Sequence, residues 1–282
     1  MITLNNLTYR YRKGTTAIDS VSTQIGSGMH LLLGENGAGK TTLLKLMAGL
    51  LFPCSGQCLI DGTASGKREP ETMAKLFFLG DNMTYPAQTI NIMARIHAPF
   101  YPNFSDDRLK ENLSMFGMTG DEKLTSLSLG NRHKAQVAYA LALGAEILLM
   151  DEPTNGLDIT SKQPLARMIS QCVSDEQTVI VSTHNVDNFP NLYDGVMVMS
   201  HGRMLLNTPT WQITERVTFR GNMIPPEAPL YLEQHFGLYR SIEPNTDGTE
   251  TTIDYTLLYN GLMSPSRDKI LQHLNTQNTP QL

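Results

Sequence analysis

Residues 34–42 read Gly34-Glu35-Asn36-Gly37-Ala38-Gly39-Lys40-Thr41-Thr42, which matches the pattern G-x-x-x-x-G-K-[ST] of a phosphate-binding loop. The apolar run at residues 29–33 predicts a buried strand before the loop, and the apolar periodicity from Lys40 to Leu50 predicts a helix after it. Glycines allow backbone N–H groups to converge on phosphates, and a helix N-terminus attracts negative charge. This stretch therefore predicts an α/β fold with a P-loop nucleotide site.

Two side chains of the loop are predicted to act on the phosphates and on their metal ion. Lys40 places a positive charge beside the β and γ phosphates, and Thr41 offers a hydroxyl to Mg²⁺. The alternative interpretation is a tight glycine turn that binds nothing. The strand and helix patterns on either side favour the phosphate loop over that alternative.

A second motif consists of two adjacent acidic residues after an apolar run. Residues 147–150 are apolar, and Asp151 and Glu152 follow them directly. Many buried strands end in acidic residues, so this motif is weak evidence when taken alone. Beside a phosphate loop, however, one carboxylate is needed to hold Mg²⁺ and another to orient or deprotonate a water molecule. We assign Asp151 to the metal and Glu152 to the water.

The composition narrows the class of protein. Of the 282 residues 40% are hydrophobic, but polar residues interrupt the longest apolar stretches before they reach membrane-spanning length. Residues 1–12 lack the apolar run of a secretory signal, so we expect a cytoplasmic location. The net charge of −5, without a long run of one sign, argues against nucleic-acid binding. The three cysteines form no C-x-x-C pair, which argues against a disulfide framework and a structural zinc site.

The order of predicted elements indicates a mainly parallel sheet. Predicted strands at residues 146–151, 178–183 and 196–200 are accompanied by helical segments, as in sheets built from strand–helix–strand units. Between the two motifs described above, residues 85–143 show helical patterning interrupted by prolines. We interpret this stretch as a mostly helical insert.

The composition changes near residue 210, where we place a domain boundary. Residues 211–282 then form a C-terminal extension of unknown role. Within it, the patterns predict strands at residues 216–220 and 251–259 and a final helix at residues 266–274.

A third motif lies between the first two and reads Leu127-Ser128-Leu129-Gly130-Asn131. Together with its neighbours, it resembles the signature L-S-G-G-Q of the nucleotide-binding subunits of ABC transporters, with Leu129 and Asn131 as departures. The resemblance implies that Ser128, Gly130 and Asn131 contact the γ-phosphate of a nucleotide held by an opposite subunit. Without the flanking motifs, Ser128 would most simply be a helix cap.

Three further segments resemble the family residue by residue. Asn155-Gly156-Leu157-Asp158 resembles the loop that links two active sites across a dimer, with Asp158 in the aspartate position. His184, at the end of a predicted strand, resembles the switch histidine that contacts the γ-phosphate and completes the catalytic set with Glu152. Tyr11 stands where the family places an aromatic ring against adenine; Tyr9 is the alternative, and either could be only a strand residue.

One element departs from the family pattern. After the predicted strand at residues 76–80 the family carries a glutamine that binds Mg²⁺ and senses the attacking water, whereas this chain has Asp81 followed by Asn82. The resemblance therefore implies Asp81 as a metal ligand. Its carboxylate adds negative charge beside the triphosphate. We therefore expect the departure to change the rate of hydrolysis and not the type of reaction.

The resemblance covers residues 1–210 and implies a P-loop core of ABC ATPase type with an antiparallel β subdomain and a helical subdomain. It implies that ATP and Mg²⁺ bind, and that hydrolysis drives transport through separate integral membrane permease subunits, with export favoured. One loop and one signature per chain imply a homodimer, or a heterodimer with a second ATP-binding subunit. The expected location is peripheral, on the cytoplasmic face of the cell membrane.

Other interpretations stay open. A soluble ABC ATPase could act in iron–sulfur assembly or as a mechanical factor without transport. A nucleotide-binding regulator without turnover is disfavoured by the complete set of Lys40, Asp151, Glu152 and His184. Within the transporter interpretation, aromatic residues beside prolines, including Tyr85 and Tyr101, predict an exposed apolar groove that receives a short permease helix.

Overall fold

The computed structural model describes residues 1–12, 14–81, 88–157, 159–184 and 192–275. The strands are β1 (Ile2–Arg10), β2 (Thr16–Ile25), β3 (Gly28–Leu33), β4 (Ser55–Ile60), β5 (Thr63–Ala64), β6 (Leu76–Leu79), β7 (Ile147–Asp151), β8 (Thr178–Thr183), β9 (Gly195–Ser200), β10 (Arg203–Pro209), β11 (Val217–Asn222), β12 (Tyr231–His235) and β13 (Leu238–Pro244). The α-helices are α1 (Lys40–Met47), α2 (Pro70–Met73), α3 (Ile90–His97), α4 (Asp106–Ser114), α5 (Leu129–Ala142), α6 (Ile159–Cys172), α7 (Thr210–Arg216), α8 (Tyr255–Met263) and α9 (Arg267–Asn275).

The central sheet has the strand order β10-β9-β3-β8-β7-β6. Neighbouring strands from β9 to β6 are parallel, and β10 pairs antiparallel with β9 at one edge. The carboxyl ends of β3, β8, β7 and β6 therefore lie side by side along one edge of the sheet. The predicted mainly parallel sheet is confirmed. Strands β9 and β10 form a hairpin that turns at His201 and Gly202.

The central strands read as continuous apolar runs because both faces of the sheet are covered. Leu31 and Leu33 belong to a large hydrophobic cluster on one face, which also contains Tyr139 of α5 and Leu165 of α6. The residue between them, Leu32, belongs to a small cluster on the other face. Because a shift of one residue would move every side chain of such a strand to the opposite face, burial on both faces specifies its register.

The small cluster joins the central sheet to α1 and to a second, antiparallel sheet. That sheet has the order β2-β1-β4-β5, and its residues Ile2 and Leu4 are buried in the cluster together with Leu43 of α1. This arrangement gives the P-loop two supports. The strand before the loop lies in one sheet, and the helix after the loop is packed beneath the other.

Helices α3, α4 and α5 lie in the stretch where the sequence predicts a helical insert. Each begins at a residue whose side chain caps the helix: Thr89 accepts from the N–H of Ile92, Ser105 from that of Arg108 and Ser128 from that of Asn131. Within the described ranges, no helix has both the length and the apolar character needed to cross a bilayer.

The C-terminal part contains a three-stranded sheet of order β11-β13-β12, with α8 and α9. Its buried residues Ile242, Leu258 and Ile270 belong to the large cluster. Tyr255 of α8 meets Tyr193 edge to face, with ring centroids 5.9 Å apart. The apolar core on this face of the central sheet therefore continues into the C-terminal part.

The predicted strand at residues 251–259 is wrong, because α8 begins inside it at Tyr255. The β-branched residues and tyrosines of that stretch favour a strand locally. The helix forms instead because Asp254 caps its first turn, with 2.9 Å between its carboxylate and the N–H of Leu257, and because Leu258 and Leu262 are buried on one side. Strands β12 and β13 are also absent from the sequence prediction.

We predict that Asp254→Ala lowers the free energy of unfolding by about 1 kcal/mol or more, since it removes a helix cap. The substitution also removes the ion pair between Asp254 and Arg240. Denaturant unfolding followed by circular dichroism measures the change. Asp175→Ala, at an exposed turn position, is the control and should change the stability by a few tenths of a kcal/mol at most. Equal stability of the two variants would contradict the capping role of Asp254.

Candidate functional site

A cavity of about 590 Å³ opens at the edge of the central sheet where the carboxyl ends of β3, β6, β7 and β8 meet. Ligand sites in parallel α/β sheets occur at this edge, because the loops that leave the strands converge there. The residues that line the cavity are Tyr11, Thr15, Thr16, Ala17, Glu35, Asn36, Gly37, Gly39, Lys40, Thr41, Thr42, Asp81, Asp151, Glu152, Asn155 and His184.

Glycines of the P-loop are required by close backbone contacts. Gly39 has a φ of 108°, and a Cβ atom there would come within 2.5 Å of the carbonyl oxygen of Ala17. A Cβ atom on Gly34 would come within 2.8 Å of the carbonyl oxygen of Met199. The loop therefore follows a path that side chains would block, and it leads directly into α1 at Lys40.

Lys40 carries a positive charge in a buried position. Its Nζ donates a hydrogen bond of 2.6 Å to the carbonyl oxygen of Gly34 and lies 3.7 Å from Oε1 of Glu152. Burial lowers the pKa of Lys40, and the carboxylates of Glu152 and Asp151 act in the opposite direction. A buried ammonium group is stabilised by negative charge, so the site favours an anion such as a phosphate beside Lys40.

Asp151 is held by two hydroxyl groups at the end of β7. Thr41 Oγ1 donates to one carboxylate oxygen at 2.7 Å, and Ser182 Oγ donates to the other at 2.6 Å. The carboxylate is 3% exposed. Hydroxyl and carboxylate oxygens are the ligands that Mg²⁺ prefers, so the oxygen atoms at this point of the cavity fit that ion.

Glu152 lies one residue beyond Asp151 in a left-handed backbone conformation with a φ of 50°. Its N–H donates to the carbonyl oxygen of Ser182 at 3.1 Å, which holds the residue in place. Its Oε1 is 2.9 Å from Nδ1 of His184, and the backbone N–H of His184 lies 3.4 Å from its Oε2. The carboxylate is therefore fixed between Lys40 and His184, inside the cavity.

Asp81 reaches the same cavity from the end of β6. Its Oδ1 accepts a hydrogen bond of 2.8 Å from Nδ2 of Asn155. Asp81 therefore follows β6 and lines the cavity, and it is the residue to which the family resemblance assigns a metal ligand. Asn82, the next residue, lies outside the described residues.

Tyr11 lies at the mouth of the cavity. Its hydroxyl is 3.0 Å from Oγ1 of Thr42, and its ring is 43% exposed and meets Tyr9 edge to face. Tyr9, the alternative in the sequence prediction, packs against the small cluster instead. Of the two tyrosines, Tyr11 therefore has the surface that could stack on a nucleotide base.

The residues of the third motif, Ser128, Gly130 and Asn131, do not line this cavity. They form the first turn of α5, where Ser128 Oγ accepts from the N–H of Asn131 at 3.3 Å. A Cβ atom on Gly130 would lie 3.0 Å from the carbonyl oxygen of Gly156, so this turn contacts the loop that follows the acidic motif. Asp158 itself lies outside the described residues.

Comparison with known proteins places this geometry in a family. The family model described as ABC transporter matches residues 18–155. The chain is similar to the ABC transporter ATP-binding protein NatA of Bacillus subtilis, with 32% identity over 216 residues, covering 73% of this chain and 88% of NatA. The chain belongs to the ABC transporter ATP-binding proteins. This ABC ATPase binds ATP and hydrolyses it, as the family does.

Other similarities extend the comparison. The cobalt import ATP-binding protein CbiO of Rhodobacter capsulatus is 30% identical over 235 residues, covering 78% of this chain and 83% of CbiO. The crystal structure of a putative cobalt transport ATP-binding protein superposes with a TM-score of 0.67 at 21% identity. It covers 95% of this chain and 99% of its own, so its fold is similar over most of the length of this ABC ATPase.

Sequence reasoning missed several residues of the cavity. Thr15, Thr16 and Ala17 line it from the start of β2, and no motif marks them. Ser182 forms hydrogen bonds with Asp151 and with the N–H of Glu152. Its position near the end of a predicted strand is the one signal in the sequence that could have indicated this role. The sequence indicates Asn155 only as part of a loop, because its contact is with Asp81, 74 residues away in the chain.

We predict that Lys40→Ala weakens ATP binding by about 100-fold, because the buried charge nearest the phosphates is lost. Isothermal titration calorimetry with Mg-ATP measures the dissociation constant. Lys110→Ala is the matched control, since Lys110 lies on the exposed side of α4 and pairs with Asp106. An unchanged dissociation constant in Lys40→Ala would rule out the phosphate-loop assignment.

For Glu152→Gln we predict that ATP hydrolysis falls by about 10²- to 10⁴-fold while ATP still binds. The amide cannot accept a proton, and loss of a negative charge 3.7 Å from Lys40 should make ATP binding somewhat tighter. Phosphate release and equilibrium binding separate the two effects. Glu146→Gln serves as the control, because Glu146 precedes β7 at its amino end and pairs with Lys75. Normal turnover in Glu152→Gln would assign the proton transfer to another group.

Proposed function

We propose that this ABC ATPase is the ATP-hydrolysing motor subunit of a transporter whose permease subunits are separate membrane chains. The observation that carries the proposal is the convergence of Lys40, Asp151, Glu152 and His184 with the P-loop in one cavity. A site built only to hold a nucleotide does not need a carboxylate and an imidazole fixed 2.9 Å apart beside the phosphate position.

The proposed roles follow from the contacts. The backbone of residues 34–42 and Lys40 hold the phosphates, and Tyr11 stacks on adenine. Thr41, Asp151 and Asp81 hold Mg²⁺, which would neutralise part of the phosphate charge when bound. Within the described residues, no group of three or more His, Cys, Asp or Glu side chains forms a metal site, so phosphate and water would supply the remaining ligands.

Glu152 is proposed as the general base and His184 as a contact to the γ-phosphate. Glu152 orients a water molecule and accepts its proton while the water oxygen forms a bond to the γ-phosphorus atom. The bond from phosphorus to the β–γ bridging oxygen breaks, and ADP leaves with that oxygen. The hydrogen bond between Glu152 and His184 keeps both side chains pointing to the same place before the nucleotide arrives.

The separation of the third motif from the cavity supports a dimer. Ser128, Gly130 and Asn131 lie at the first turn of α5 and do not line the nucleotide cavity of the same chain, so a second subunit would bring its own turn to the phosphates. Asp158 belongs to the loop between the two sites in this proposal. The second subunit is another copy of the chain or a related ATP-binding subunit.

A second cavity, of about 320 Å³ and mostly apolar, is the proposed docking groove for the permease. Phe100 is 67% exposed at its rim. Tyr101 is part of its wall: the hydroxyl donates to the carbonyl oxygen of Leu76 at 3.2 Å, and burial raises the pKa of Tyr101 to about 12. Tyr85 lies outside the described residues. The groove is lined by Pro70, Met73, Ala74, Phe77, His97, Phe100 and Tyr101.

The groove lies beside the strand that leads to the nucleotide site. Leu76 and Phe77 begin β6, and β6 continues to Leu79, two residues before Asp81. A short apolar helix of a permease seated there would receive movement from the nucleotide cavity along β6. The proposed location is therefore peripheral, at the cytoplasmic face of the cell membrane.

The comparisons do not support the expected direction of transport, which is export. The name of CbiO states import, and the name NatA states no direction, so these relatives give no support for export.

The test of the transporter proposal is purification of the native protein from mild detergent extracts. Association with an integral membrane chain supports it, whereas recovery only in soluble complexes would favour an assembly or mechanical role.

We predict that Phe100→Ala weakens association with the permease about tenfold while the subunit remains folded, because the exposed ring contributes contact area without supporting the core. Pull-down with the co-expressed membrane subunit, together with a melting curve, measures both properties. Trp211→Ala removes an aromatic ring that is 65% exposed on α7 and should leave association unchanged. Equal association of the two variants would place the docking surface elsewhere.

A further inference from the structure

Asn155 lies in the turn that follows β7 and has two hydrogen bonds that point to different parts of the site. Its side-chain Nδ2 donates to Oδ1 of Asp81 at 2.8 Å. Its backbone N–H donates to the carbonyl oxygen of Glu152 at 2.9 Å. One residue thus connects the carboxylate at the end of β6 with the turn that carries the carboxylate at the end of β7.

We propose that Asn155 is a positioning residue that holds the Asp81 carboxylate in the orientation needed for the metal ion. The hydrogen bond to Oδ1 restrains the rotation of the carboxylate, and Asp81 lines the nucleotide cavity. This inference rests on the proposed role of Asp81 as a Mg²⁺ ligand. It adds a residue whose individual role neither the motifs nor the family resemblance indicates.

The charge distribution explains why Asp81 requires such a partner. Asp81, Asp151 and Glu152 line the same cavity, and an ionised carboxylate can accept hydrogen bonds but cannot donate them. Neighbouring carboxylates repel one another, which favours rotation of the half-buried Asp81 side chain towards solvent. A neutral amide donor offsets this tendency without adding a positive charge that would compete with the metal ion.

The short side chain of Asp81 makes this orientation more important. An aspartate carboxylate is separated from its backbone by one methylene group, so rotation about a single bond displaces both oxygens. The turn that carries Asn155 is itself held to the sheet through Glu152, whose N–H donates to Ser182 at 3.1 Å. Asn155 therefore ties Asp81 to the same strands that fix Asp151 and Glu152.

The test measures the Mg²⁺ dependence of nucleotide binding rather than turnover. A non-hydrolysable fluorescent ATP analogue is titrated with Mg²⁺ in the full-length protein, and its affinity without Mg²⁺ is measured in parallel. We expect Asn155→Leu to raise the half-saturating Mg²⁺ concentration by about threefold to tenfold, the effect of losing one solvent-exposed hydrogen bond. The affinity without Mg²⁺ should stay within twofold.

Further variants separate positioning from folding. Asn155→Ala also removes the amide donor without adding a charge, so it should raise the Mg²⁺ requirement to a similar extent as Asn155→Leu. Asp81→Ala should raise it as well, and adding Asn155→Leu to Asp81→Ala should change nothing more. Asn91→Leu is the matched control, because Asn91 Nδ2 donates to Asp121 at the same distance of 2.8 Å, outside the cavity lining.

The Mg²⁺ requirements of the Asp81 and Asn155 variants decide whether Asn155 positions Asp81. If Asp81→Ala raises the Mg²⁺ requirement and both Asn155 variants leave it unchanged, the inference fails while the metal role of Asp81 stands. If Asp81→Ala itself has no effect, the metal role fails and the inference fails with it. A lower Mg²⁺ requirement in Asn155→Leu would mean that Asn155 keeps Asp81 away from the metal, the opposite of the role proposed.

Discussion

The site depends on the interaction between the buried ammonium group of Lys40 and the oxygen atoms around it. Its position requires a loop that passes close to backbone atoms, and only glycine fits at Gly39, where a Cβ atom would lie 2.5 Å from Ala17. Its charge requires oxygen atoms nearby, which Gly34 and Glu152 provide. Because Gly34 follows β3 and Glu152 follows β7, the contacts of this one charge connect the ends of two strands.

Much of the site could be predicted from the sequence because its chemistry is encoded locally. The glycines, Lys40 and Thr41 occupy consecutive positions, and the strand ending at Asp151 is marked by an uninterrupted apolar run. Patterns of this kind depend on backbone geometry over a few residues, which the sequence specifies directly. The central parallel sheet is predicted by the same reasoning, since its inner strands β7 and β8 are buried on both faces.

Other features depend on contacts between distant parts of the chain. The hydrogen bond between Asp81 and Asn155 joins residues from two strand ends that only the folded sheet brings together. At the start of α8 the local β propensity favours a strand, whereas burial of Leu258 and Leu262 and the cap at Asp254 favour the helix. Tertiary packing outweighs local propensity where the two disagree.

The shared hydrophobic cluster has a consequence for how the C-terminal part of this protein can be handled. Ile242, Leu258 and Ile270 pack in the same cluster as residues of the central sheet, and the ring of Tyr255 covers Tyr193. Cutting the chain near residue 210 would leave apolar side chains of both pieces in water, a surface that promotes aggregation. Shortened versions would therefore lose solubility before they revealed what the extension contributes, and single surface substitutions are the sounder way to study it.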